Sequence, residues 1–131
     1  TIEVVETKHL VHWPLDAVTG QIVSNKKHKP ITIRKQVDKT SPLLFNMWVT
    51  NENISSWKLD FYQPTSQGQE ELYFTVELEN AVIASIRLDM PNTFDPATVN
   101  YPTTEELTFV YGKITVTHPP SGNTALDDMT N

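Results

Sequence analysis

Thr40-Ser41-Pro42-Leu43-Leu44-Phe45 interrupts a chain that otherwise alternates apolar and polar residues, and it is the one strong helix-start signal in the sequence. Ser41 is placed to cap the first amides, and Pro42 fits the first helical position, where its missing N–H costs nothing. Leu43, Leu44, Met47 and Trp48 follow at helical spacing. The spacing predicts a short helix over about residues 42–50, ending near Asn51, that lays one apolar stripe on a neighbouring sheet. A single small helix inside β-structure narrows the fold to a few antiparallel architectures.

The rest of the chain supplies the strands. Ile2, Val4 and the residues around His9 to His12 read as an extended strand broken at Trp13-Pro14. Ile31, Ile33 and Val37 alternate with Thr32, Arg34 and Gln36. Trp57, Leu59 and Phe61 and then Leu72, Phe74, Val76 and Leu78 flank a turn at Pro64 to Gln69, which predicts a hairpin with one apolar face. A second tight turn at Glu79-Asn80 would lead into Val82, Ala84, Ile86 and Leu88, and Leu107, Phe109, Tyr111, Ile114 and Val116 supply a last strand pair. Pro91 to Pro102 reads as an irregular segment. About seven strands and one helix predict a mainly β fold, an antiparallel β-barrel with the helix packed on its side. With 131 residues the expectation is one domain spanning 1–131, with residues 119–131 as a flexible tail rich in Ser, Gly, Asn and Asp.

Pro14 to Pro30 is a long connection of turn formers, with Thr19-Gly20 as its tip and Lys26, Lys27, His28 and Lys29 near its end. A loop of that length inside a compact domain points to a functional arm or a protruding hairpin. Its candidate contact residues are Trp13, Asp16, Thr19, Gly20, Lys26, Lys27 and Lys29. The charge is unevenly placed. Residues 1–39 hold seven Lys and Arg against four acids, whereas the other 92 hold three against twelve, within a net charge of -6. That asymmetry argues against a nucleic-acid binder and suits head-to-tail contact between copies. Glu105 and Glu106 are candidate acids for such stacking; Trp48 and Trp57 are assigned to the core and Trp13 to an interface.

Catalytic chemistry finds little support. His9 and His12 fall on opposite faces of a strand, where they cannot chelate together, and His28 and His118 lie far from them in sequence. The paired carboxylates at Glu70-Glu71, Glu105-Glu106 and Asp127-Asp128 are adjacent and so diverge in a strand. There is no cysteine, no Gly-x-Ser-x-Gly elbow and no phosphate-binding glycine loop. The expectation is a non-enzymatic protein with no cofactor and no metal, and no apolar run is long enough to insert in a membrane as a helix.

Read in order, Thr40-Ser41-Pro42-Leu43-Leu44, Lys58-Leu59-Asp60-Phe61-Tyr62, Ser66-Gln67-Gly68-Gln69-Glu70, Tyr73-Phe74 through Leu78-Glu79-Asn80-Ala81, and Tyr111-Gly112-Lys113-Ile114-Thr115 resemble the haemolysin-coregulated protein (Hcp) family. That family forms the inner tube of the bacterial type VI secretion system. The order and spacing of the segments carry the resemblance, from Thr1 to the Ile114-Thr115 strand. It implies a tube subunit that forms hexameric rings, stacks them into a hollow tube, carries small effectors in the lumen and meets sheath and spike proteins. The subunit would wait in the bacterial cytoplasm before firing and be secreted afterwards. The family usually begins with further strands that help close the barrel, upstream of the one at Ile2, and ends on a strand and a Trp where this chain has Thr117-His118-Pro119-Pro120. The alternatives are a monomeric β-sandwich binding module, for example for carbohydrate, and a phage-type tail tube protein.

Overall fold

Ile31, Ile33 and Lys35 face the same way along one strand and stand directly opposite Phe109, Leu107 and Glu105 on another. All six are buried, because strand side chains alternate with period two. This ladder is the centre of the first of two compact units seen in a computed structural model that describes residues 2–129. The first unit runs up to Asn51 and adds Ile83–Val110; the second is Glu52–Val82 with the chain from Tyr111 onward. The sequence reading had one domain.

Among the described residues there are nine strands: β1 (Glu6–Lys8), β2 (Val11–His12), β3 (Lys27–His28), β4 (Ile31–Gln36), β5 (Ile54–Pro64), β6 (Glu70–Asp89), β7 (Thr104–Val110), β8 (Lys113–His118) and β9 (Asn123–Asp128). One helix, α1 (Ser41–Val49), follows β4. In the first unit β1 pairs β4 and β4 pairs β7, both antiparallel. In the second, β6 is paired on its two sides with β5 and β8, and β8 with β9, again all antiparallel. The class is therefore mainly antiparallel β with one short helix, as the alternation predicts.

Helix α1 begins one residue earlier than expected and is not capped as expected. Thr40 occupies the N-cap position without a side-chain cap bond, while Ser41 is the first helical residue. The Ser41 hydroxyl instead accepts from Asp38 N (3.0 Å) and donates to Glu105 Oε1 (2.9 Å). The helix ends where Asn51 turns left-handed, with φ 52°, a conformation Asn tolerates better than most residues. The apolar stripe is only partly covered. Leu44 is buried, Leu43 is 67% exposed and Trp48 is 42% exposed, its Nε1 donating to Ala84 O. Trp48 is thus not the core residue the spacing implied, and Trp57 is half-buried. The helix carries no charged residue on any side, so its pattern cannot say which face turns inward.

Two further differences follow from local backbone geometry. Glu79-Asn80 is not a turn: β6 continues through it for 20 residues. Asn80 takes φ 53°, and Gly112 N donates to both Glu79 O (3.0 Å) and Asn80 O (3.2 Å). The pairing with β5 nevertheless runs past Asn80 in unbroken register, from Trp57 opposite Leu78 and Ser56 opposite Glu79 to Ile54 opposite Ala81, while the buried positions switch from Val76 and Leu78 to Ala81 and Ile83. The segment expected to be a loose tail forms β9. Pro119 to Gly122 make the turn, with Gly122 N donating to His118 O (2.9 Å), and the strand then pairs along all of β8. Thr130 and Asn131, the end of that expected tail, lie outside the described residues.

Candidate assembly surface

The long connection is a β-hairpin. His12 pairs with Lys27 and Val11 with His28, Lys29 N donates to Leu10 O, and Leu15 bridges Ile22 further out. The tip is closed by Asp16, whose Oδ1 accepts from Val18 N (2.7 Å) and Thr19 N (2.9 Å). Those two backbone donors hold the Asp16 carboxyl below its ordinary value, Thr19 contributing most. Gly20 turns left-handed with φ 73°, and its N–H returns to Asp16 O. Asp16, Thr19 and Gly20 are therefore the residues that shape the tip.

The apolar side chains of the hairpin remain uncovered. Trp13 is 49% exposed and Val18 93%, and Leu10, Val11, Leu15, Ile22 and Val23 are also exposed. Lys26, Lys27 and Lys29 are exposed at its return end. At the base, burial and the nearby charge of His28 lower the pKa of His9. An uncovered run of this kind on a surface marks a contact site more often than a free one. Among the described residues no group of three or more His, Asp or Glu side chains converges to hold a metal.

The candidate stacking acids lie elsewhere, on β7, and they separate. Glu106 faces Arg34, with Nη2 to Oε2 at 2.9 Å, and its side chain is 28% exposed. Arg34 also donates to Asp89 Oδ2 (3.0 Å) and to Thr104 Oγ1 (2.9 Å). The bond to Asp89 is the main cause raising the Arg34 pKa. Glu105 corrects the expectation of a surface acid. It is 5% exposed, and its Oε1 sits 2.6 Å from the ammonium of Lys35, which is fully buried. An acid so neutralised inside the unit presents no charge to a neighbour.

Sequence reasoning missed this buried cluster. Lys35 Nζ also reaches Gln36 O (3.0 Å), Asp38 Oδ1 (3.1 Å) and Ser41 Oγ (3.3 Å). The signal was present in the alternation, because Lys35 is in phase with Ile31 and Ile33 and Glu105 with Leu107 and Phe109. The cluster ties β4, β7 and the start of α1 together. Bonds from Thr40, side chain first and then backbone, together with Lys35, lower the Asp38 carboxyl from 3.8 to about 2. A depressed folded-state value means that its stabilisation is present above about pH 4 and is lost as pH falls towards 2. Asp38→Asn is expected to flatten the stability-versus-pH curve over that window, as acid titration followed by circular dichroism would read.

The comparisons with known proteins agree with one another. Residues 1–118 match the family described as "Type VI secretion system effector, Hcp". The chain is 37% identical over 120 residues to the major exported protein of Pseudomonas aeruginosa, covering 92% of this chain and 70% of that protein. Its structure is similar to a crystal structure of an Hcp protein, with a TM-score of 0.91 and 28% identity, covering 98% of this chain and 76% of the other. It is also similar to Hcp1 from Escherichia coli EAEC 042 (a doubly substituted form), with a TM-score of 0.86, 27% identity and coverage of 98% and 80%. A family match over most of the sequence, joined to the antiparallel pairing and the single helix described above, places this chain in the Hcp family of type VI secretion proteins.

Proposed function

We propose that the protein is a tube subunit of a type VI secretion system, exported as part of its working cycle from the bacterial cytoplasm. It assembles into hexameric rings that stack into a hollow tube, carries effectors in the lumen, meets the sheath and spike, and does no catalysis of its own. The observation that carries this reading is the family match over residues 1–118 together with the 0.91 TM-score to an Hcp structure. The structure adds a reason for self-association: the hairpin at Pro14 to Pro30 exposes more apolar side chains than a solvated loop needs.

In this reading Trp13, Asp16, Thr19 and Gly20 form an intersubunit arm, and Lys26, Lys27 and Lys29 face acids of the adjoining ring, Glu106 among them. Exposed pairs are each worth about 0–1 kcal/mol and are screened by salt, so their repetition around a ring is what gives them weight. Negative-stain electron microscopy of the purified protein tests the proposal: closed rings with a central hole are expected. Fields of single small particles at micromolar concentration would contradict it.

A further inference from the structure

The hairpin sorts its side chains along its length. Asp16 to Gly20 close the tip, and residues 17–25 carry no charge. Beside the tip stand the exposed Leu15, Val18, Ile22 and Val23, with Leu15 opposite Ile22. Trp13, half exposed, comes next on the outgoing strand. The base is cationic: Lys26, Lys27 and Lys29 are exposed on the returning strand, where Lys27 pairs with His12 and His28 with Val11. Asp16 is the one acid between His9 and Pro30, and its carboxylate is turned onto the Val18 and Thr19 amides.

An apolar end, one Trp and then a group of cations repeat the order of depth in a lipid leaflet: acyl chains, the interface where Trp concentrates, then the headgroup phosphates. A protein partner would need acids placed to match these particular lysines, whereas a layer of anionic headgroups supplies negative charge wherever they fall. The rest of the chain sharpens the fit. Residues 40–131 hold three Lys and Arg against twelve acids, so an anionic surface repels them and attracts the arm. We propose that the hairpin docks on membranes rich in anionic phospholipid, with Leu15, Val18, Ile22 and Val23 among the outer acyl carbons, Trp13 at the interface and Lys26, Lys27 and Lys29 on the phosphates. The Asp16 carboxylate at the tip keeps entry shallow, because a charge is costly in the hydrocarbon core. The contact is therefore interfacial and needs no spanning segment. A copy presents this surface wherever no neighbour covers its arm, as a lone chain or at the open end of a stack, so the inference stands apart from the tube reading.

The full chain, diluted until light scattering reads single copies, is sedimented at low salt with vesicles of phosphatidylcholine alone or of an equimolar phosphatidylcholine–phosphatidylglycerol mixture. The mixed vesicles are expected to bind at least about tenfold more tightly. Lys26→Gln, Lys27→Gln and Lys29→Gln together are expected to weaken that binding about a hundredfold, each lysine near an anionic surface contributing about a factor of five. Depth is read with phosphatidylcholine brominated on its acyl chains, which is expected to quench the tryptophan emission of the parent and much less that of Trp13→Phe. All four substituted residues are exposed on the hairpin, so their replacement does not threaten the core. No preference for the anionic vesicles, or a preference that the three lysine changes leave intact, overturns the proposal. Lysine-dependent binding with equal quenching of parent and Trp13→Phe overturns the seating of the arm and describes a plain polyanion contact instead. The mass at micromolar concentration is measured alongside, without vesicles. Rings there, with no vesicle binding by the diluted chain, overturn the membrane docking and leave the tube reading standing. Vesicle binding that meets both tests, in a protein that forms no rings, supports the docking and overturns the ring.

Discussion

Lys35→Met is expected to destabilise the protein by about 3–5 kcal/mol, because it leaves the Glu105 carboxylate buried without its cation. Against a typical total of roughly 5–15 kcal/mol, that is enough to unfold a large fraction of the chains. The position is severe for a stated reason. Lys35 has no exposed surface and Glu105 almost none, so water cannot replace the lost partner. Replacing both, Lys35→Met with Glu105→Leu, is expected to recover most of the loss, since an apolar pair would continue the ladder of Ile33 opposite Leu107. Urea unfolding midpoints of the two variants and the parent read the result. A single substitution costing less than about 1 kcal/mol, the level of an exposed pair, would contradict the burial argument.

Deleting residues 16–27 is expected to abolish assembly while leaving the β circular-dichroism signal in place. The deletion removes the tip braced by Asp16, the exposed Val18, Ile22 and Val23, and two of the three lysines. It leaves β4, α1 and β5 to β9, which contain all the buried residues of both units. Ordering a free hairpin costs about 1–2 kcal/mol of backbone entropy per residue, which contact with a neighbour would offset. Light scattering of the deleted and parent proteins gives the comparison. Assembly of the deleted protein at parental concentrations would show the arm to be dispensable.

Most of the strands were legible because alternation is a direct consequence of half-buried pleated backbone. Ile31 to Gln36, Trp57 to Phe61 and Leu72 to Leu78 all read correctly as strands. The signal failed where one residue changed the phase. Asn80 looks like a turn residue, and only the continuous pairing of β6 with β5 on either side of it reveals that it lies inside a strand. The β9 strand failed for a different reason: Asn123 to Asp128 has little apolar character, and its order comes from backbone bonds to β8 that no local pattern announces. The arm was legible as a hairpin from its length and turn formers. Lys35 was missed because a charged residue in an apolar phase is usually read as an error in the phase.

The central claim is that this chain is a ring-forming tube subunit, and the native mass of the full-length protein in solution tests it most directly. Native mass spectrometry at micromolar concentration and low salt is predicted to give a dominant species of six chains, with higher multiples of six as rings stack. A single-chain mass throughout the micromolar range would contradict the account.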